Sequence, residues 1–288
     1  MVGNSNHDGA QSTRRTYLSA AGAALGVTAL ASGTVAAGDK EIEGDGLIEL
    51  EEGDLTAVLV INEPGDYQLD EDIDLDETGD DFGVFIAASN VTLDGNGNTI
   101  SGAGEGTGIR VTGGDIPANN VRIRDAKFRD LSSGIRMRES FDSQITEVDV
   151  KNCDTGLSIT EGQHTVLRDS TFNKSRLTFS EVRLFAARNT IRCVDGFGLR
   201  INDSIEFTFV NNEISGNDGS GLTGTSISDG QMVRNEITNN GGFGIDISGR
   251  DIDILNNDLN DNDDGPCNID SFNNILAEGN DPECEVDG

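Results

Sequence analysis

The chain has 288 residues, with 52 Asp and Glu against 20 Lys and Arg for a formal charge of −32, and it contains 37 Gly, 4 Pro and no Trp. A charge of that sign repels a polyanion, which excludes nucleic acid as a partner, and the glycine content argues against a helical bundle. The only Lys are Lys40, Lys127, Lys151 and Lys174, and an acid-rich, lysine-poor surface holds water and stays dispersed in concentrated brine, so a halophilic protein is expected.

Residues 12–37 read STRRTYLSAAGAALGVTALASGTVAA, two arginines ahead of a weakly apolar run that closes on Val35-Ala36-Ala37, a small-residue cleavage site. The segment resembles a twin-arginine export signal, with Thr13, Arg14, Arg15, Thr16, Tyr17 and Leu18 in the places of that motif. Cleavage after Ala37 is expected. No later stretch reaches the roughly 18 apolar residues of a membrane span. The mature protein should therefore be secreted, extracellular or at the cell surface, without a membrane span and as a monomer.

Residues 38–82 are dense in acid and poor in repeat, and they read as an N-terminal cap. From there a Gly followed by alternating apolar residues recurs at Gly83, Gly108, Gly134, Gly156, Gly198, Gly221 and Gly244, at intervals of 25, 26, 22, 42, 23 and 23. The interval of 42 holds two units, with Arg176-Leu177-Thr178-Phe179 standing where the middle Gly is missing. Each unit carries two further apolar pairs, so three short strands fill about 22 residues, and such units bury a face only by stacking. Neither a leucine-rich repeat nor a propeller blade fits this period and composition.

One coil of a parallel β-helix does fit, and the expectation is an all-β, single-stranded right-handed parallel β-helix of about eight coils over 83–265, with a C-terminal cap at 266–288. Ile135, Met137, Ile145 and Val150 should point inward, and Ser170, Asn189, Asn212, Asn235 and Asn257 should stack as a polar ladder at the bends. The segments Pro64-Gly65-Asp66-Tyr67-Gln68-Leu69 and Ala88-Ser89-Asn90-Val91-Thr92-Leu93-Asp94-Gly95-Asn96-Gly97-Asn98-Thr99-Ile100 resemble the right-handed β-helix repeat proteins of the pectin-lyase-like superfamily. The likeness extends to its secreted carbohydrate-binding and sugar-hydrolase group. That superfamily holds lyases, hydrolases, epimerases and non-catalytic members, so the resemblance implies the fold and leaves the activity open.

Cys267 and Cys284 lie in the terminal segment, close enough in sequence for a disulfide to close it. Cys153 and Cys193 fall in similar places two coils apart, beyond bridging reach, and read as buried thiols.

Residues 110–200 hold 15 of the 20 cations and 12 acids, so an Arg-rich middle is bracketed by acidic ends. Outward positions of the first strand carry Arg110, Arg136, Arg138, Ser158, Thr178, Arg200 and Asn202, the donor set for uronate carboxylates and sugar hydroxyls. Glu139, Glu161, Glu181 and Asp203 follow on consecutive coils, a carboxylate column that calcium would suit. The resemblance to pectate-lyase-like members implies Arg136 or Arg200 as a base beside that calcium. His164 lacks the flanking glycines and Asp trio of the hydrolase members and reads as a turn residue, so a lyase fits better than a hydrolase if the chain is an enzyme. Two readings stand at this point. In one, an exported β-helix binds and processes acidic polysaccharide or a cell-surface glycan; in the other, the β-helix is a non-catalytic structural or accessory protein.

Overall fold

The computed structural model describes residues 57–112 and 117–284. The export signal, residues 38–56 of the acidic segment and residues 285–288 lie outside the described residues.

The chain winds in about nine turns, each laying down three strands. The first two strands of every turn belong to a 17-stranded sheet and the third to an 8-stranded sheet, with all pairings parallel. On the first face Ile109, Ile135, Leu157, Leu177, Leu199, Leu222 and Ile245 stand in register on successive coils. All are buried, as are Met137, Ile145 and Val150. Strand alternation explains this: positions two apart share a face, so the Gly-apolar-x-apolar pattern sends its apolar residues inward. The unit without its glycine is present as Arg176–Ser180, paired to Thr155–Thr160 and Leu199–Asn202.

Coiling begins earlier than the composition suggests. Ala57–Ile61 pairs in register with Phe82–Ile86, and Gly65–Gln68 with Val91–Asp94, inside the segment read as a cap. The acids there occupy turns and outward positions, which hid the strands between them; a one-turn helix, Leu75–Thr78, interrupts the repeat. At the other end Gly265–Glu278 pairs with Phe243–Leu255 as a further full rung, and Cys267 is bonded to Cys284.

Strands are joined through single residues in the left-handed region, occupied mostly by Asn, Asp and Glu, the first two being the side chains that tolerate it best. His164 is one of them, at φ 55°, with Nδ1 3.3 Å from Asp142, which makes it a turn residue. On the inner side of the bends the expected ladder is continuous. Asn189, Asn212, Asn235, Asn257 and Asn280 are buried, and each of the first four donates from its backbone N–H and Nδ2 to Oδ1 of the next at 2.8 to 3.0 Å. A second ladder, Asn217, Asn240 and Asn262, runs up another corner. Outside, Arg188 grips both oxygens of Asp169 on the preceding coil at 2.6 and 2.7 Å, and this hydrogen bonding holds the Asp169 carboxyl below the usual range.

The two unpaired cysteines differ, contrary to the expectation of two buried thiols. Cys153 is buried, while Cys193 is exposed at φ 57°. Cys193 aligns with the turn residues Asn152 and Lys174, one place before the column that Cys153 shares with Ser175, Val194 and Asn217. That single-residue offset turns its side chain from core to solvent. Burial pushes the Cys153 thiol up to about 11. Native protein treated with a thiol reagent at neutral pH should therefore label at Cys193 alone, and Cys153 should react only after denaturation. Equal labelling of both in the native state would contradict the offset.

Candidate outer-face binding site

The outward row of the first strands runs Arg110, Arg136, Ser158, Thr178, Arg200 on consecutive coils, as expected. Beside it stand Arg138, Thr160, Ser180 and Asn202. The residues read from the sequence as substrate contacts thus share one surface.

Their surroundings separate them. Arg136 is exposed and has no hydrogen bond or ion pair among the described residues. Arg138 is engaged: it lies 3.4 Å from Glu139 and 3.6 Å from Glu161. Such exposed pairs contribute little to stability, yet they occupy the guanidinium. Arg110 stacks 5.2 Å over the Phe82 ring. Arg200 lies 3.8 Å from the Phe197 centroid, with Arg176 at 5.8 Å from the same ring, and its Nε is 3.5 Å from Thr223 Oγ1. An aromatic ring under a guanidinium fixes its plane and leaves its edge donors facing outward.

Glu139, Glu161, Glu181 and Asp203 do form one column, all at positive φ between 48° and 58°. A turn residue points away from the rod axis, so one carboxylate per coil makes a line rather than a cage. Among the described residues no three Asp, Glu, His or Cys side chains converge as metal ligands, and Arg138 already serves two members of the column.

Beyond Arg200 the face opens into a groove of about 530 Å³. Its walls are Arg200, Asn202, Thr223, Thr225, Asp246, Ser248, Asn268 and Asp270, over a floor of Gly224 and Ile247. Thr225 Oγ1 donates to Asn202 Oδ1 at 2.9 Å, and Asn268 Nδ2 donates to Asp246 Oδ1 at 2.8 Å. The expected site stopped at Arg200 and Asn202. Asn268 and Asp270 escaped it because the last coil replaces the Gly-Ile signature with Gly265-Pro266-Cys267. Phe197 was passed over because most Phe residues point inward; its place between Gly196 and Gly198 was the available signal.

Among the described residues no helix is long and apolar enough to cross a membrane. Among curated proteins none matches the sequence. Among solved structures, the A-module of a mannuronan C-5 epimerase from Azotobacter vinelandii superposes with a TM-score of 0.52 at 16% identity, over 75% of this chain and 71% of that one. A periplasmic alginate epimerase superposes with a TM-score of 0.51 at 12% identity, over 78% of this chain and 86% of that one. At such identities the likeness is one of fold. The family model described as the right handed beta helix region matches residues 78–223 and 117–281, which together span most of the sequence, and the chain belongs to that family.

Proposed function

We propose that this chain is an exported β-helix protein that binds acidic polysaccharide along the outer face formed by the first strands of its turns. The observation that carries the reading is the in-register row from the unpartnered Arg136 to the ring-stacked Arg200, which runs on into the groove. Three coil steps at ~4.8 Å place these two guanidinium groups about 14 Å apart, a span of several sugar residues, with the Ser158 and Thr178 hydroxyls between them. Asp246 and Asp270 in the groove would repel a uronate but accept from sugar hydroxyls, so carboxylates are gripped at the Arg end and hydroxyls in the groove. The fold likeness to two enzymes named for mannuronan and alginate, both polyuronates, agrees with this polymer class. The segment resembling a twin-arginine signal and the acidic composition support export into brine as part of this reading.

Arg136 and Arg200 are given a binding role and not that of a base. A guanidinium offers a carboxylate two parallel donors, which is what gripping a uronate requires. Arg138 favours the structural alternative for itself alone, since its partners are the Glu column.

The test is polyuronate binding in molar KCl, with a neutral glucan as comparison. Losing one charge-assisted hydrogen bond removes about 1–3 kcal/mol, so Arg136→Ala with Arg200→Ala should weaken polyuronate binding at least tenfold while thermal melting hardly moves. Arg138→Ala should change binding little. Unchanged affinity in the double variant would return the protein to the structural reading.

A further inference from the structure

The second strands of the turns, which share the 17-stranded sheet with the first, carry an outward face that the binding reading does not use. On it Val210, Val233 and Leu255 stand in register on three consecutive coils; on the two coils before them Val166 and Phe185 stand in the neighbouring outward column, which runs on through Thr208, Gln231 and Asp253 to Leu276. Phe185 is 41% exposed and Leu276, on the last coil, 44%, and the others are half-buried by their neighbours alone. Apolar residues spread over two neighbouring outward columns and six coils, on a chain of charge −32, call for a cover.

From the coil of Arg122 to that of Leu276, charge on the same face is divided by end, while Asp66 and Asp94 lie on the coils before it. Toward the N-terminal coils stand Arg122, Arg124 and Arg168; toward the C-terminal coils stand Asp253 and Glu278. Arg124 is tied to Asp94 at 2.8 Å, whereas Arg122 is exposed and makes no ion pair or hydrogen bond among the described residues. A second copy turned end for end would set the cationic end of each rod over the acidic end of the other, with the apolar strips meeting between. A two-fold contact needs this self-complementarity.

We propose that the outer face formed by the second strands of the turns is the interface of an antiparallel homodimer. This departs from the monomer expected from composition. From the coil of Arg122 to that of Leu276 the strip spans about 34 Å at ~4.8 Å per coil and is one short strand wide, which puts the contact at the small end of stable interfaces and its dissociation constant in the micromolar range. Concentrated salt favours it, because self-repulsion is screened while apolar burial is retained. In this dimer the outward faces of the first strands stay open in both copies.

Sedimentation equilibrium of the mature chain in molar KCl, at concentrations up to several hundred micromolar, should show reversible dimers. Phe185→Glu with Val233→Glu should shift the dissociation constant at least tenfold upward, with circular dichroism and melting retained because both side chains point outward. A charge test fixes the orientation, at the lowest salt that keeps the native spectrum. Arg122→Asp with Arg168→Asp should be monomeric alone, as should Asp253→Arg with Glu278→Arg, and mixing the two variants should restore a heterodimer. A strictly monomeric parent chain overturns the proposal. So does a dimer that survives the Phe185 and Val233 changes, or a mixture of charge variants that stays monomeric.

Discussion

Asn212→Ala should lower the unfolding free energy by about 3–5 kcal/mol, the sum of several buried hydrogen bonds left half-made at about 1–3 kcal/mol each. Asn212 accepts from the backbone N–H and from Nδ2 of Asn189, both at 3.0 Å, and donates to Ala186 O and Asn235 Oδ1, again at 3.0 Å. Removing the amide strands donors on the coil below and frees a carbonyl in a place water does not reach, since Asn189, Asn212 and Asn235 are all buried. The neighbouring Asn211 sits at φ 53° in the outward bend, and Asn211→Gly keeps that backbone without touching the ladder. Denaturation midpoints of the two variants measured side by side should differ widely. Equal midpoints would mean the ladder contributes nothing beyond shape.

Gly95→Ala should be the second large loss, about 3 kcal/mol, at the upper end of what overpacking usually costs. A Cβ at Gly95 would lie 2.4 Å from Asp125 O and 2.5 Å from Ala126 Cα on the next coil. Both are main-chain atoms, so no rotamer change relieves the clash and the two coils must part. Parting them strains the Gly95 N–H bond to Arg124 O, now 2.7 Å, and the Arg124 to Asp94 ion pair beside it. Gly104→Ala is the comparison: nothing lies within 4 Å of its Cβ position, and only its φ of +93° is strained. A thermal melt in which Gly95→Ala is no worse than Gly104→Ala would sink the close-approach argument.

The repeat was legible because stacking imposes one alternation on every coil. Ile135, Leu157 and Leu199 could be placed inward from spacing alone, and even the unit lacking its glycine was found at Leu177 and Phe179, since the flanking intervals leave room for only one register. What was not legible depends on offsets of a single residue or on side-chain reach. Cys193 lies one place from the core column and faces water. Arg138 bends to Glu139 and Glu161, while Arg136, two residues earlier on the same strand, does not. The first coils at Ala57–Ile61 were masked by acids whose outward placement only the pairing reveals. The groove needed the last coil, where Pro266 and Cys267 break the signature that marks the others.

Because each coil hydrogen-bonds only to the coil before and the coil after, the rod has no privileged length. A tandem duplication of one repeat, inserted at any bend, would meet the same inward column, the same left-handed bend and the same amide to accept its ladder. A change of a single residue within a coil would instead turn an entire strand inside out. Lineages carrying this fold can thus lengthen or shorten it in whole coils while both termini stay intact. The distance between Arg136 and Arg200, and with it the number of sugar units the face can span, is a trait that replication slippage can step up or down.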